Sequence, residues 1–322
     1  MVASSTTQVL ELQSKRREGH LGRALRRLLR KKLAVVSLVI LCAVYVAGIF
    51  AAPVSPYEYT AQDYTSILQP PNLEHWAGTD RTGRDVLTRV LYGIQNTVIL
   101  TVVAMVTGGL IIGVGLGLLS GYLGGKTDAV IMRVGEVFSS FPDILLIIIL
   151  AATLRPRIIE ATRWLEDNTM LEGLIRTGVV DYFVISIALV AFGWIGMARL
   201  VRGQILFLRT TQYIDAARAI GSSTGRILFR HLLPNAISPV VVTVTMGMGA
   251  MIGTEIVLSW LGLGIQPPRP SLGTMLLQAG NLSVLRATPW LLLAPAIAAL
   301  LMVLAWNLLG DALNDVLNPR TR

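Results

Sequence analysis

Six apolar runs, separated by polar connections, set the rhythm of the chain. They fall at 33–53, 92–120, 129–153, 182–203, 236–258 and 289–310. About 20 apolar residues in helical form cross a hydrocarbon core. The pattern therefore predicts an all-α integral membrane protein with six transmembrane helices. The second run holds Gly108, Gly109, Gly113, Gly115 and Gly117. Small residues spaced this way let helices approach closely in lipid, so helix packing rather than ligand binding is expected there. Two connections exceed simple turns. Residues 54–91 are polar and rich in proline and tyrosine, and 154–181 repeats Ile158, Ala161, Leu165, Leu171, Leu174 and Ile175 at helical spacing. The latter reads as an amphipathic helix on the outer surface or over a pore mouth, or equally as an ordinary solvated loop helix.

Composition supports the same class. The chain is 53% hydrophobic and 15% charged, with a mean hydropathy of +0.63, whereas a soluble protein carries about 25% charged residues. The net charge of +9 is concentrated in residues 1–32, where Lys15, Arg16, Arg17, Arg23, Arg26, Arg27, Arg30, Lys31 and Lys32 face only Glu11 and Glu18. A basic block beside the first apolar run reads as a topology signal facing anionic lipid, which argues against nucleic acid as a partner. With residues 1–32 in the cytoplasm, the inner segments 1–32, 121–128, 204–235 and 311–322, together with Arg202, hold 17 Lys/Arg, against nine in the outer loops. Both termini are then cytoplasmic. The expected organisation is a basic segment 1–32, a first span 33–53, an extracytoplasmic loop 54–91, a core 92–310 containing the cytoplasmic loop 204–235, and a tail 311–322. Cys42, the only cysteine, lies in the first run and builds no disulfide framework or thiolate metal site. That run leads into Pro-Tyr-Glu rather than a cleavage site and is expected to be retained as a span.

Catalytic constellations are absent from the sequence. His20, His75 and His231 sit in three separate segments with no H-E-x-x-H pair, and there is no G-x-S-x-G elbow or G-x-x-x-x-G-K-[ST] phosphate loop. "GYLGGK" (Gly121 to Lys126) lacks the phosphate-loop spacing and reads as a tight turn. If the chain transports actively, its energy comes from a partner. Three acids fall within apolar runs: Glu136, Asp143 and Glu255. Such charges are expensive in a membrane and serve as polar contacts between helices, pore lining or an ion site. Pro142, just before Asp143, is expected to kink its helix.

The stretch "YIDAARAIGSSTGRILFRHLLPN" (Tyr213 to Asn235) interrupts the apolar pattern between the fourth and fifth runs. Tyr213 to Ile220 predicts a helix of two turns with Ile214, Ala217 and Gly221 on one face and Asp215 and Arg218 elsewhere on the wheel. Ala216, Ala217 and Ala219 keep it thin. Gly221 suits a left-handed C-terminal cap, and Ser222, Ser223 or Thr224 can cap a second short helix that stops before Pro234. A lipid-surface helix and a plain connection are the competing readings. The small-residue face and the glycine hinge favour docking into a groove on another protein.

These residues also carry a family resemblance. Asp215-Ala216-Ala217, then Gly221, then Leu233-Pro234 resembles the EAA loop of bacterial ABC-importer permeases, with Asp215 where Glu is usual. "GTDRTGRDVLTRVLYG" (Gly78 to Gly93) resembles the G-T-D-x-x-G-R-D-V-L-S-R block of dipeptide and oligopeptide permeases of the C-subunit type, matching it at Gly78, Thr79, Asp80, Gly83, Arg84 and Asp85. "LSWLGLGIQPPRPSLGTML" (Leu258 to Leu276) and "NLLGDALNDVLNPR" (Asn307 to Arg320) resemble further blocks of that subfamily, with Trp260 and Leu272 replacing the usual Phe and Trp. The likeness runs from about residue 20 onward, and the 154–181 loop is longer than usual for the family.

The resemblance implies a type I ABC-importer permease fold with spans two to six as the shared core, in a bacterial or archaeal cell membrane. It implies a homologous second permease around a central pore and an extracytoplasmic binding protein. It also implies two cytoplasmic ATPases that hold ATP and Mg, with no cofactor on this chain. Tyr213, Asp215, Ala216, Ala217, Arg218, Gly221, Leu233 and Pro234 would form the ATPase-coupling element, which moves spans four and five. The implied cargo is di- or oligopeptides, with nickel complexes, glutathione or oligosaccharides as alternatives within the family. From a different class, a stand-alone proton-coupled secondary transporter would use Glu136, Asp143 or Glu255, and would be expected to show broken helices or internal repeats, neither of which the sequence shows. An intramembrane enzyme is disfavoured by the missing nucleophile, base or metal set.

Overall fold

The computed structural model describes residues 20–170, 173–175 and 177–317. Lys15, Arg16 and Arg17 of the basic block, Leu171, and residues 318–322 of the tail lie outside the described residues. In chain order the helices of six or more residues are α1 (His20–Leu29), α2 (Lys32–Ile49), α3 (Val86–Leu123), α4 (Gly125–Ser139), α5 (Asp143–Asn168), α6 (Val179–Leu208), α7 (Gln212–Ala219), α8 (Thr224–Trp260), α9 (Leu272–Ala279), α10 (Leu282–Ala287) and α11 (Trp290–Leu317). Among the described residues no strand forms, and one isolated bridge pairs Thr79 with Asp85. Five helices (α2, α3, α6, α8 and α11) are long and apolar enough to span a membrane, and the bent pair α4–α5 makes a sixth if it counts as one span.

The third span is where the structure departs most from the apolar pattern. The run at 129–153 is not one kinked helix: α4 and α5 meet at 89° across residues 140–142. Pro142 provides the reason. It cannot donate a backbone hydrogen bond, and it pushes Phe141 out of helical conformation. The chain leaves Pro142 at φ −58°, ψ 123° and restarts at Asp143. α5 then continues to Asn168 through Pro156, so the helix expected within 154–181 is, as far as Asn168, the far end of this one, while Leu174 and Ile175 lie beyond it in a turn. Ile158 and Ile175 pack at the edge of a core built from α3, α5 and α6.

The stretch before the fifth span also differs from expectation. The short helix expected to end before Pro234 instead runs without interruption from Thr224 to Trp260. Residues Ile227–Leu232, just ahead of the proline, are wound as π-helix. That wider turn accommodates the missing Pro234 donor and the bulk of its ring. A second π-wound segment, Met105–Gly113, lies in the middle of α3.

Close packing of α3 on α6 follows the glycine pattern. A Cβ at Gly113, Gly117 or Gly121 would lie 2.8, 2.7 or 2.7 Å from the Cβ of Met197, Val201 or Ile205 respectively. Every four residues, then, α3 presents a bare backbone to α6, and the helices touch with only one side chain between them. At the end that carries the basic residues, Asp128 of α4 holds Arg202 of α6 (Arg202 Nη2 to Asp128 Oδ2, 2.6 Å) and also accepts from Ser120 of α3. We call this the basic end and the opposite one, with residues 55–85 and 261–289, the loop end. α1 and α2 lie against α11 through Leu28, Ala34, Leu41, Ala305 and Leu309, and Lys31 Nζ reaches Asp315 Oδ2 at 2.8 Å.

Candidate functional site

At the basic end, α7 carries the Asp-Ala-Ala triplet. It closes as expected: Gly221 takes φ +77°, its N–H donates to Arg218 O (2.9 Å), and Ser222 N–H donates to Ala217 O (3.0 Å). This pair of bonds is a Schellman cap, which a residue with a Cβ would strain. The Ile214–Ala217 face, however, does not point outward. Both residues are buried against Val114 and Leu118 of α3, Val201 and Ile205 of α6, and Ile227 and Leu232 of α8. The face expected to dock on another protein is thus taken up by the chain's own helices, because Ile214 finds an apolar pocket where the three meet.

The rest of α7 is free, including a stripe about 100° around the helix from the buried face. Tyr213, Ala216 and Ile220 are exposed at i, i+3 and i+7, with Ile220 82% accessible. Asp215 and Arg218 form an exposed pair at 3.2 Å on the other flank of the buried face. Arg218 also stands 5.7 Å from the centroid of the Tyr122 ring at the end of α3, within cation–π range. Leu233 and Pro234 lie on α8, with Leu233 against the same cluster and Pro234 exposed. Ile220 and Tyr122 were missed in the sequence. Ile220 continues the i, i+3, i+7 period of Tyr213 and Ala216, about 120° around the helix from Ile214, so its signal was present. The contact between Arg218 and Tyr122 joins residues too far apart in sequence to be read.

Midway along the spans, a groove of about 270 Å³ opens between α3, α5, α6 and α8, lined by Met105, Gly109, Asp143, Gly193, Met251 and Thr254 among others. Of the three intramembrane acids, only Asp143 faces it. Glu136 is exposed on α4 and pairs with Arg133 at 3.1 Å. Glu255 is fully buried: Thr97 Oγ1 donates to its Oε2 and Ser259 Oγ to its Oε1, both at 2.8 Å. Glu255 therefore tethers α8 to α3. Glycine and methionine give the groove a smooth, adaptable wall with few polar groups.

The segment Gly78–Asp85 forms a brace at the loop end. Asp80 Oδ1 accepts from the Thr82 and Arg84 backbone N–H groups (2.8 and 3.0 Å), and Asp80 Oδ2 accepts from Arg84 Nε at 2.7 Å. Burial pushes the Asp80 carboxyl up, but those N–H donors and the Arg84 guanidinium outweigh it and hold it below the usual carboxylate range. Asp85 caps α3 by accepting from Thr88 N–H at 2.7 Å and stands 2.9 Å from His75 Nδ1. Thr79 Oγ1 accepts from Gln69 N–H at 2.8 Å, and Trp290 Nε1 of α11 donates to Thr79 O at 3.2 Å. Gly83, at φ +72°, is irreplaceable, since a Cβ would sit 1.8 Å from Asp63 O. The residues of this motif fix the entry of α3 against the loop and α11. The 258–276 segment does similar work: Asn96 Nδ2 donates to Pro270 O at 2.7 Å, and a Cβ at Gly273 would lie 2.2 Å from Ile256 O.

Comparison with known proteins agrees with this architecture. The family described as "Binding-protein-dependent transport system inner membrane component" matches residues 113–322, and "N-terminal TM domain of oligopeptide transport permease C" matches residues 20–71. The chain is 36% identical over 299 residues to the oligopeptide transport system permease protein OppC of Bacillus subtilis, covering 93% of this chain and 89% of that one. It is 37% identical over 299 residues to the dipeptide transport system permease protein DppC of the same organism, covering 93% and 85%. With the glutathione transport system permease protein GsiD of Escherichia coli O6:K15:H31 it shares 38% identity over 298 residues, covering 92% and 89%. The chain is thus similar to multi-pass membrane transport components rather than to enzymes.

Proposed function

The chain belongs to the family of binding-protein-dependent transport system inner membrane components, and from that membership we propose that it is a permease subunit of an ATP-driven importer of di- and oligopeptides. The basic end lies in the cytoplasm, by the excess of Lys/Arg there. A second, homologous permease closes the groove around Asp143 into a pore, two cytoplasmic ATPases supply ATP hydrolysis with their own ATP and Mg, and an extracytoplasmic binding protein delivers the cargo.

One observation carries this reading: α7 is two-sided. Its Ile214–Ala217 face is sunk among α3, α6 and α8, while Tyr213, Ala216 and Ile220 stand free. A short rigid helix seated among three spans on one face, with an apolar stripe open beside that face, is suited to pass a push from an ATPase into the bundle. The seating adds α3 to the two spans expected to move. The groove supports peptide cargo in a complementary way. Its glycine and methionine wall with a single carboxylate has little means of reading a side chain, which leaves selection to the binding protein. The break at 140–142, a broken helix of the kind expected of a secondary transporter and not found in the sequence, puts Asp143, the first residue of α5, on the wall of this groove.

The test is reconstitution. In liposomes holding both permeases and both ATPases, peptide uptake should require ATP inside and binding protein outside. Uptake by this chain alone under a proton gradient would overturn the proposal in favour of the secondary transporter.

A further inference from the structure

Beside the brace at the loop end lies a cavity of about 310 Å³, lined by Asp80, Arg81, Arg84, Arg89, Gln278 and Leu291 among others. Three guanidinium groups and one carboxylate meet there. Arg84 is already spent on Asp80. Arg81 is exposed at the rim. Arg89 is the informative one: its side chain is only 4% accessible, yet its contacts are a 3.4 Å hydrogen bond to Tyr59 O and a 3.6 Å approach to Asp80 Oδ2. A guanidinium has five N–H donors, so most of the donor capacity of a nearly buried cation is left for whatever enters the cavity. Burying an incompletely paired charge is costly. The brace, with Gly83 and Asp80 locked in place, holds that charge preorganised.

We propose that this cavity is an anion-binding socket that receives an acidic side chain, Asp or Glu, of the extracytoplasmic binding protein when it docks; the partner rests on the function proposed above. Two features favour this occupant. At about 100° per residue, Arg89 points roughly 160° away from Met105 on α3, so the socket is not in line with the groove and does not meet passing cargo. The rim residues Arg81 and Thr82 belong to the turn before α3 begins at Val86, so the mouth opens on the aqueous side rather than among acyl chains. A bidentate carboxylate matches the geometry of a guanidinium fork.

The test uses the complete transporter in lipid nanodiscs and titrates fluorescent binding protein against wild type and the variants Arg81→Glu, Arg81→Lys and Arg89→Gln, with assembly of each complex checked by subunit stoichiometry. Docking should weaken about thirtyfold or more for Arg89→Gln and by a smaller, salt-dependent factor for Arg81→Glu, while Arg81→Lys should stay near wild type. These losses should be equal in zwitterionic and anionic nanodiscs. Unchanged docking in both Arg81→Glu and Arg89→Gln overturns the proposal. A defect that appears only in anionic nanodiscs also overturns it and assigns the cavity to a lipid headgroup. Failure of wild-type binding protein to dock at all would instead count against the importer reading itself.

Discussion

Replacing Ile214 by alanine separates seating from docking. Ile214 is fully buried in the pocket formed by α3, α6 and α8, and α7 is only eight residues long, with Ala217 as its other buried residue. Truncating a buried isoleucine costs about 2–5 kcal/mol. Because α7 sits at the rim, where neighbours can partly collapse, the lower part of that range applies, about 2–3 kcal/mol. At 1.4 kcal/mol per decade this shifts the balance from seated to unseated α7 by about 30- to 150-fold. The exposed stripe of Tyr213, Ala216 and Ile220 is untouched. ATPase subunits should therefore still co-purify and hydrolyse ATP, while peptide taken up per ATP consumed falls steeply in proteoliposomes. The companion variant Ile220→Ala should do the reverse, leaving the chain's own stability alone and weakening ATPase association. Wild-type uptake per ATP in the Ile214→Ala variant would refute the idea that force enters the bundle through this seat.

Other consequences follow from the packing and the brace. Gly117→Ala places a methyl group 2.7 Å from Val201 Cβ and 2.8 Å from Ala198 O; it should destabilise the α3–α6 contact by about 1–3 kcal/mol in a thermal-shift assay, whereas Gly115→Ala, which meets nothing within 4 Å, should be neutral. Glu255→Gln accepts from one of the Thr97 and Ser259 hydroxyls and donates its amide N–H to the other, so it should unfold near wild type, while Glu255→Ala strands two buried hydroxyls at a cost of about 1–3 kcal/mol. The 54–85 loop should be acid-labile. Asp80 is held below its usual range, and Thr65 and Ser66 hold Asp63 at about 2. Depressed carboxyls stabilise above the unfolded value near 3.9 and lose that contribution as pH falls through the folded one. Limited proteolysis of this loop should rise between pH 4 and 2, and in Asp80→Asn part of that susceptibility should already be present at pH 7.

Much of this fold was legible because its elements obey one period. The five long spans came from apolar runs, and the cap at Gly221 came from a glycine placed where a helix must stop. The structure lengthens each of these spans except the first, since polar first turns such as that after Asp85 continue a helix that hydropathy cannot see. The break at Pro142 was legible as a kink but not as 89°, because the angle depends on where α5 finds its neighbours. Pro234 misled for a related reason: a proline forbids an ordinary α-turn but not a π-wound one. The inward face of α7 and the isolation of Glu255 from the groove are facts of tertiary packing. Nothing local tells that Asp143 lines the groove and Glu255 does not, since both are acids set in apolar runs.

The central claim is that the free face of α7 meets an ATPase. Cys42 is the only cysteine in the chain, so a Cys42→Ala background leaves it without thiols. In that background, Ile220→Cys combined with a cysteine scan of the ATPase surface should give a disulfide-linked permease–ATPase pair under mild oxidation, and Ile214→Cys should give none. Cross-linking from position 214 but not from 220, or from neither in a complex that transports, would contradict the account.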